Sequence, residues 1–141
     1  MRTPVDIVDI LWGKINSSSL KSALATGGGV YKRQRPINSN KEDVVINSLP
    51  LLNEQLQVGV ANVNIHVPDK QINQVGIQTT VANTVRLKAL VDTAVTILKE
   101  DYSADDYHFE IQQVSDLMKD EDASSHFINI RIEFYSLNIS N

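Results

Sequence analysis

The sequence predicts an α+β fold: a mainly antiparallel sheet with two main helices packed on one face, plus a short helix and long β-hairpins. Three observations carry this. Strand-like runs are grouped, three before the longest helical run and two after it, where an α/β protein would alternate them strictly with helices. The run Phe127 to Leu137 alternates Ile128, Ile130, Ile132 and Phe134 with Asn129, Arg131 and Glu133, the period-2 pattern of a half-buried strand. Two other stretches repeat apolar side chains at helical spacing.

The first helix starts at a strong signal. Thr3 is a natural N-cap, Pro4 fits the first helical position and Asp6 stands where a capping-box acid belongs. Val5, Val8, Leu11 or Trp12, and Ile15 then line one face, with Trp12 read as a core anchor. Asn16-Ser17-Ser18-Ser19 ends it and caps a short helix, Leu20 to Ala25. Gly27-Gly28-Gly29 marks a turn, and Val30 to Arg35 follows as a short strand closed by Pro36.

Asp43 to Leu49 has strand composition, confined to an edge or a strand end by Pro50. Gln57 to Val67 is the next strand, joined to it in a long hairpin through Leu51 to Leu56. Val58 and Val60 differ in parity from Val63, Ile65 and Val67, which predicts a β-bulge between Ala61 and Asn62. Pro68 to Ile77 reads as irregular. The longest helix is expected from Thr79 or Thr80 to about Lys99, with Val81, Val85, Leu87, Leu90, Val91, Ala94, Ile97 and Leu98 as its stripe. Tyr102 to Asp106 breaks it. Tyr107 to Ser115 and Phe127 to Leu137 then form a hairpin with an acidic, solvated tip.

At 141 residues the chain fits one domain, 1–141. The balance of 42% hydrophobic against 21% charged residues is that of a folded domain and argues against wholesale disorder. No apolar run reaches the roughly 18 residues of a membrane span, and Arg2 is followed by no apolar core of a signal peptide. The absence of cysteine excludes disulfide scaffolds, thiolate metal sites and cysteine nucleophiles. A formal charge of −4 argues against a chain whose main task is to grip nucleic acid.

Candidate chemistry is sparse. His66, His108 and His126 show no ligand spacing. Hairpin pairing puts His108 near Glu133 or Phe134 and His126 near Ser115, too far apart to share a metal. They read as surface-facing strand histidines. Asp116, Asp120, Glu121 and Asp122 lack the central glycine and distal glutamate of an EF-hand loop. The three glycines lack the Lys-Thr ending of a phosphate loop and precede a strand. Lys32, Arg33 and Arg35 form a small basic cluster, too little for more than weak, salt-sensitive phosphate binding. Ser17 to Ser19 have no triad partner. No enzyme activity, catalytic residue, metal or cofactor is expected.

The layout and its local strings resemble the tail-completion proteins of long-tailed phages, also called tail terminators or tail-to-head joining proteins. The resemblance covers nearly the whole chain. It is carried by Val5-Asp6-Ile7-Val8, the Leu20-to-Ala25 helix, Gly29-Val30-Tyr31 with Arg35-Pro36, and the run Glu42 to Pro50. It continues through Val63 to Pro68, the long helix and the closing Phe134-Tyr135-Ser136-Leu137. The strings are similar to prophage-encoded forms from Bacteroides-type bacteria. The resemblance implies a structural subunit that forms a ring, usually a hexamer, on the tail tube and joins it to the head connector. DNA passes through its lumen, no membrane is involved, and the subunit moves from host cytoplasm to the virion neck.

On this footing, subunit contacts are expected at Lys41 and Glu42 in the Ile37-to-Glu42 loop, and at Leu51, Leu52 and Asn53 in the hairpin tip. Asp116, Asp120, Glu121 and Asp122 form a third contact, whose acids meet the basic cluster of the adjacent subunit. Ile37 to Lys41 and Pro68 to Gly76 are expected to order on assembly, and the isolated chain to be a monomer or weak oligomer. The alternative function is a small α+β adaptor of the bacterial host that binds a ligand or peptide without catalysis.

Overall fold

A computed structural model describes residues 3–49, 56–100, 103–104, 107–120 and 124–137. The chain is mixed α and β, with three helices among the described residues and a mostly antiparallel sheet. In order, the elements are α1 (Pro4–Asn16), α2 (Ser19–Ala23), β1 (Gly29–Lys32), β2 (Asp43–Ser48), β3 (Leu56–Pro68), β4 (Lys70–Gln74) and β5 (Ile77–Val81). They continue with α3 (Thr84–Glu100), β6 (Ser103–Ala104), β7 (Tyr107–Val114), β8 (Met118–Lys119) and β9 (Ser125–Leu137).

The capping box at Thr3 forms as its residues dictate. The Thr3 hydroxyl accepts from the Asp6 amide, and the Asp6 carboxylate accepts from the Thr3 amide at 2.7 Å. The bounds of two helices differ from expectation. The short helix spans Ser19–Ala23, capped by the Ser18 hydroxyl at Leu20 N. The long helix starts at Thr84, because the Asn83 side-chain oxygen accepts from Arg86 N and Asn83 O from Leu87 N. Val81 therefore ends a strand, and Val85 is 76% exposed. Leu87, Leu90, Val91, Ala94 and Leu98 are buried as expected.

Strand order in the main sheet is β1-β2-β3-β9-β7-β6, with β8 also on β9. Among the described residues only β1–β2 is parallel; Gly29–Lys32 lies beside Asp43–Ile46. β2 and β3 pair antiparallel, and β3 runs on beside β9 from Leu56↔Leu137 to Pro68↔Ser125. The expected bulge at Ala61 and Asn62 is absent, since both ladders pass through that point in continuous register. Ala61, Val63, Ile65 and Val67 face the core throughout, while Val58 is 39% exposed and Val60 half-buried on the other face. The register shift lies in β7, between Ile111 and Gln113.

The inward sheet face contributes Val30, Val44, Ile46, Ala61, Val63 and Ile65, with Phe109, Ile130, Ile132 and Phe134. These form one cluster with Ile7, Leu11 and Ile15 of α1, Leu20 of α2 and Leu87, Leu90 and Leu98 of α3. Trp12 packs against the cluster and its indole N–H donates to Val30 O at 2.9 Å, tying edge strand β1 to a helix. Gly28 serves a close approach. A Cβ there would stand 2.1 Å from the Glu42 carbonyl oxygen, so the turn into β1 tolerates no side chain at this position.

The stretch Pro68 to Ile77, expected to be irregular, is largely strand. β4 and β5 form a separate two-stranded sheet closed by Val75 and Gly76, both with positive φ. That is the backbone of a two-residue type I′ turn, which twists with the strands it joins.

Ile130 is fully buried at the centre of β9. Replacing it with Asp puts an unpaired carboxylate into the core, and we expect a loss of at least about 3 kcal/mol. Urea unfolding of Ile130→Asp beside the parent checks this; equal midpoints would contradict the assigned inward face.

Candidate functional site

The outward face of the main sheet carries Asn47 of β2, Asn62 and Asn64 of β3 and Asn129 of β9. Asn62 donates to Asn47 at 3.1 Å, and Asn129 donates to Asn62 and Asn64 at 3.1 and 2.7 Å, so one amide ladder crosses β2, β3 and β9. Further along, Tyr135 donates to Glu133 at 2.7 Å, and Gln112 to the other Glu133 oxygen at 3.1 Å. The bond to Glu133, with partial burial and the Glu133 and Glu110 charges, pushes the Tyr135 hydroxyl up to about 12.

At the other end of this face lies the densest charged cluster. The β1–β2 connection turns twice through left-handed backbone, at Arg33 (φ 72) and Asn38 (φ 59), and folds around its own Arg35. Arg35 Nη2 donates to Ser39 O at 3.3 Å and Lys41 O at 3.1 Å. Arg35 Nε donates to Asp43 Oδ2 at 2.9 Å, and Nη1 to Asp120 Oδ2 at 2.9 Å. Ser39 and Ser125 hydroxyls complete the two carboxylates, at 2.5 and 3.3 Å. His66 Nδ1 lies 3.3 Å from Asp120 Oδ2 and 3.4 Å from Arg35 Nη1, and its ring stacks on Phe127.

The cluster is buried. Asp43 is fully inaccessible, Ser125 is 2% exposed and His66 is 8% exposed. Burial and the neighbouring Arg35 charge push His66 down to about 4, outweighing the opposite pull of Asp120 and Asp43. The ring is neutral at neutral pH. One guanidinium thus faces two carboxylates, and Asp43 Oδ1 has no hydrogen-bond partner.

Two other polar pairs hold the same end of the molecule. Arg86 grips Glu42 through Nε and Nη2 at 2.7 and 2.8 Å, and Nη2 also donates to Ala23 O. Glu42 Oε1 accepts from Ala25 N at 2.8 Å. Burial alone raises the Glu42 carboxyl, but the Arg86 bond, the Ala25 amide and the Arg86 charge outweigh it and hold the group below its usual range. His126 Nδ1 lies 2.6 Å from Asp69 Oδ1, where the Asp69 carboxylate is 3% exposed.

Several expectations are corrected by this geometry. His66 is buried, His126 is partly exposed and paired to Asp69, and His108, beside Glu110 at 3.7 Å, is the more exposed of the strand histidines. His108 lies opposite Tyr135, and His126 opposite Lys119 and Val67. Glu42, expected at a subunit contact, is 6% exposed and spent on Arg86. Asp120, expected at a subunit contact, is half-buried in the Arg35 cluster and pairs with Arg35 of its own chain. Lys41 is exposed, its stem over Gly27, and Asp116 is exposed with Oδ1 accepting from Leu117 N. Leu51, Leu52, Asn53, Glu121 and Asp122 lie outside the described residues. Among the described residues no group of three His, Asp or Glu could hold a metal ion, and no helix is long and apolar enough to cross a membrane.

Two outcomes follow from the cluster. Arg35→Met strips the cation from a fully buried Asp43, and a broken buried pair of this kind costs about 3–5 kcal/mol, read as a lower urea midpoint at pH 7. The pH dependence is set by His66. An unfolded chain takes up the histidine proton near 6.5 and the folded one near 4, so stability is complete above 6.5 and falls as the pH drops toward 4, by about 3 kcal/mol. His66→Gln is expected to flatten the curve between these values; an unchanged slope contradicts the assignment.

No protein-family model matches the chain, and no curated protein matches its sequence.

Proposed function

We propose that the chain is a structural subunit of the head–tail neck of a long-tailed phage, a tail-completion protein that forms a ring on the tail tube and joins it to the head connector. It works as a hexamer, performs no reaction and needs no cofactor. The observation that carries the reading is the β4–β5 arm, which forms a sheet of its own apart from the main one. A lone two-stranded hairpin is marginal in water. Here it also exposes Val75 fully and Ile77 at 69%, side chains that an assembling subunit buries against a neighbour.

The resemblance of strings such as Val63 to Pro68 and Phe134 to Leu137 to tail-completion proteins supports the same role. In this reading two main helices cover one sheet face, and long hairpins reach from the body toward adjacent subunits. The outward amide ladder is satisfied within the chain, so that face can stay wet. A net charge of −4 suits a lumen through which DNA slides without being held. The subunit acts in the host cytoplasm during assembly and remains in the virion neck, away from membranes.

Mixing the purified chain with tail tubes built from the tube protein of the same prophage is expected to give rings of one diameter capping tube ends in negative stain. Tube ends that remain bare at saturating protein overturn the neck role.

A further inference from the structure

Alternation along the arm sorts its side chains completely. Lys70, Ile72, Gln74, Ile77, Thr79 and Val81 share one face through the pairs Lys70↔Val81, Ile72↔Thr79 and Gln74↔Ile77. Gln71, Asn73, Gln78 and Thr80 share the other. Every apolar strand residue of the arm therefore lies on one side, as if over a core, yet Ile77 is 69% exposed and the arm belongs to no larger sheet.

The main sheet has a matching vacancy among the described residues. β6 pairs only with Tyr107 and His108, so the outer edge of β7 is open from Phe109 to Val114. That open length is about that of the five-residue arm strands. Next to it a cleft of about 330 Å³ runs between Leu98 and Lys99 at the end of α3 and Phe109 to Ile111 of β7. Phe109 and Ile111 face the core here, and Val114 beyond them is 42% exposed. The opposite sheet edge is different, since Trp12 and the Lys32–Asp9 pair bind β1 to α1.

We infer that the β4–β5 arm of one copy adds to the open β7 edge of a second copy, laying Ile72, Ile77 and Val81 over the Leu98–Ile111 cleft. This rests on the ring-forming role proposed above and names its contact. Strand addition pairs the open edges of both partners and extends the inward apolar row by the two strands of the arm. Arm and edge do not pair within one chain, so the contact joins two copies, and repeated head to tail it gives a ring where the rotation closes.

The cysteine-free chain permits a clean test. The full-length variants Ile77→Cys and Val114→Cys are treated with a short bis-maleimide near millimolar concentration, separately and mixed. We expect several-fold more cross-linked dimer in the mixture than in either variant alone. Equal yields in all three samples, or efficient dimer from Ile77→Cys alone, overturn the arm-to-edge contact. Ile77→Lys separates the contact from the neck role: rings that still cap tail tubes with this variant refute the contact and leave the role intact. Cross-linked mixtures from a parent that leaves tube ends bare uphold the contact and refute the role.

Discussion

The ladder between β3 and β9 is the constraint on which the rest of the structure depends. Each strand contributes 13 residues, paired without a break from Leu56↔Leu137 to Pro68↔Ser125. Because side chains alternate, this one register decides what is inside. It aligns Ala61, Val63 and Ile65 with Ile132, Ile130 and Ile128, and Asn62 and Asn64 with Arg131 and Asn129 on the other side. A slip of one residue would bury the asparagines and Arg131 and expose the isoleucines. The amide bonds Asn129–Asn62, Asn129–Asn64 and Asn62–Asn47 form only in the observed register, so the polar face enforces what the apolar face prefers. β2, β7 and β8 are placed by their pairing to these two strands, and the helices by the cluster beneath them.

The Arg35 cluster does a different job. It adds no apolar burial and contains a carboxylate oxygen without a partner, so replacing such a cluster with packed hydrophobes often leaves stability unchanged or higher. What it supplies is position. One guanidinium reaches two carbonyls of its own loop, Asp43 on β2 and Asp120 after β8, segments up to 85 residues apart in sequence. A parallel pair such as β1–β2 ordinarily needs a helical crossover. Here the connection from Arg33 to Glu42 is short and is held in shape by the arginine inside it.

Features written locally were legible. The capping box at Thr3 and Asp6, the alternation of β9 and the buried positions of α3 from Leu87 to Leu98 follow from residue type and spacing alone. What was missed has definite causes. Val81 and Val85 are four apart and imitate a helical stripe, which hid the Asn83 cap and moved the helix start upstream. The β4–β5 turn is Val75-Gly76, and a β-branched residue with φ 51 lacks the Asn-Gly signal of such turns. Parity in β3 changes because Val58 and Val60 are outward-facing apolar residues, and counting them as core created the expected bulge. The charged cluster joins Arg35 to Asp120 through tertiary contacts alone, so an acidic tip that reads as solvated holds a half-buried carboxylate.

The two ends of the sheet differ in a way that bears on assembly. At β1 the edge strand is bonded to α1 by Trp12 and by Lys32, a common means of keeping a strand from recruiting strangers. At β7 the only such device among the described residues is Glu110 and the two residues of β6. An isologous dimer through β7 would set the Glu110 of both copies along one shared edge, where like charges oppose pairing. A neighbour that brings the β4–β5 arm, whose strands carry no carboxylate, avoids this repulsion. The charge pattern therefore disfavours two-fold pairing of β7 with itself. Whether successive head-to-tail contacts close or spiral depends on the angle between arm and sheet.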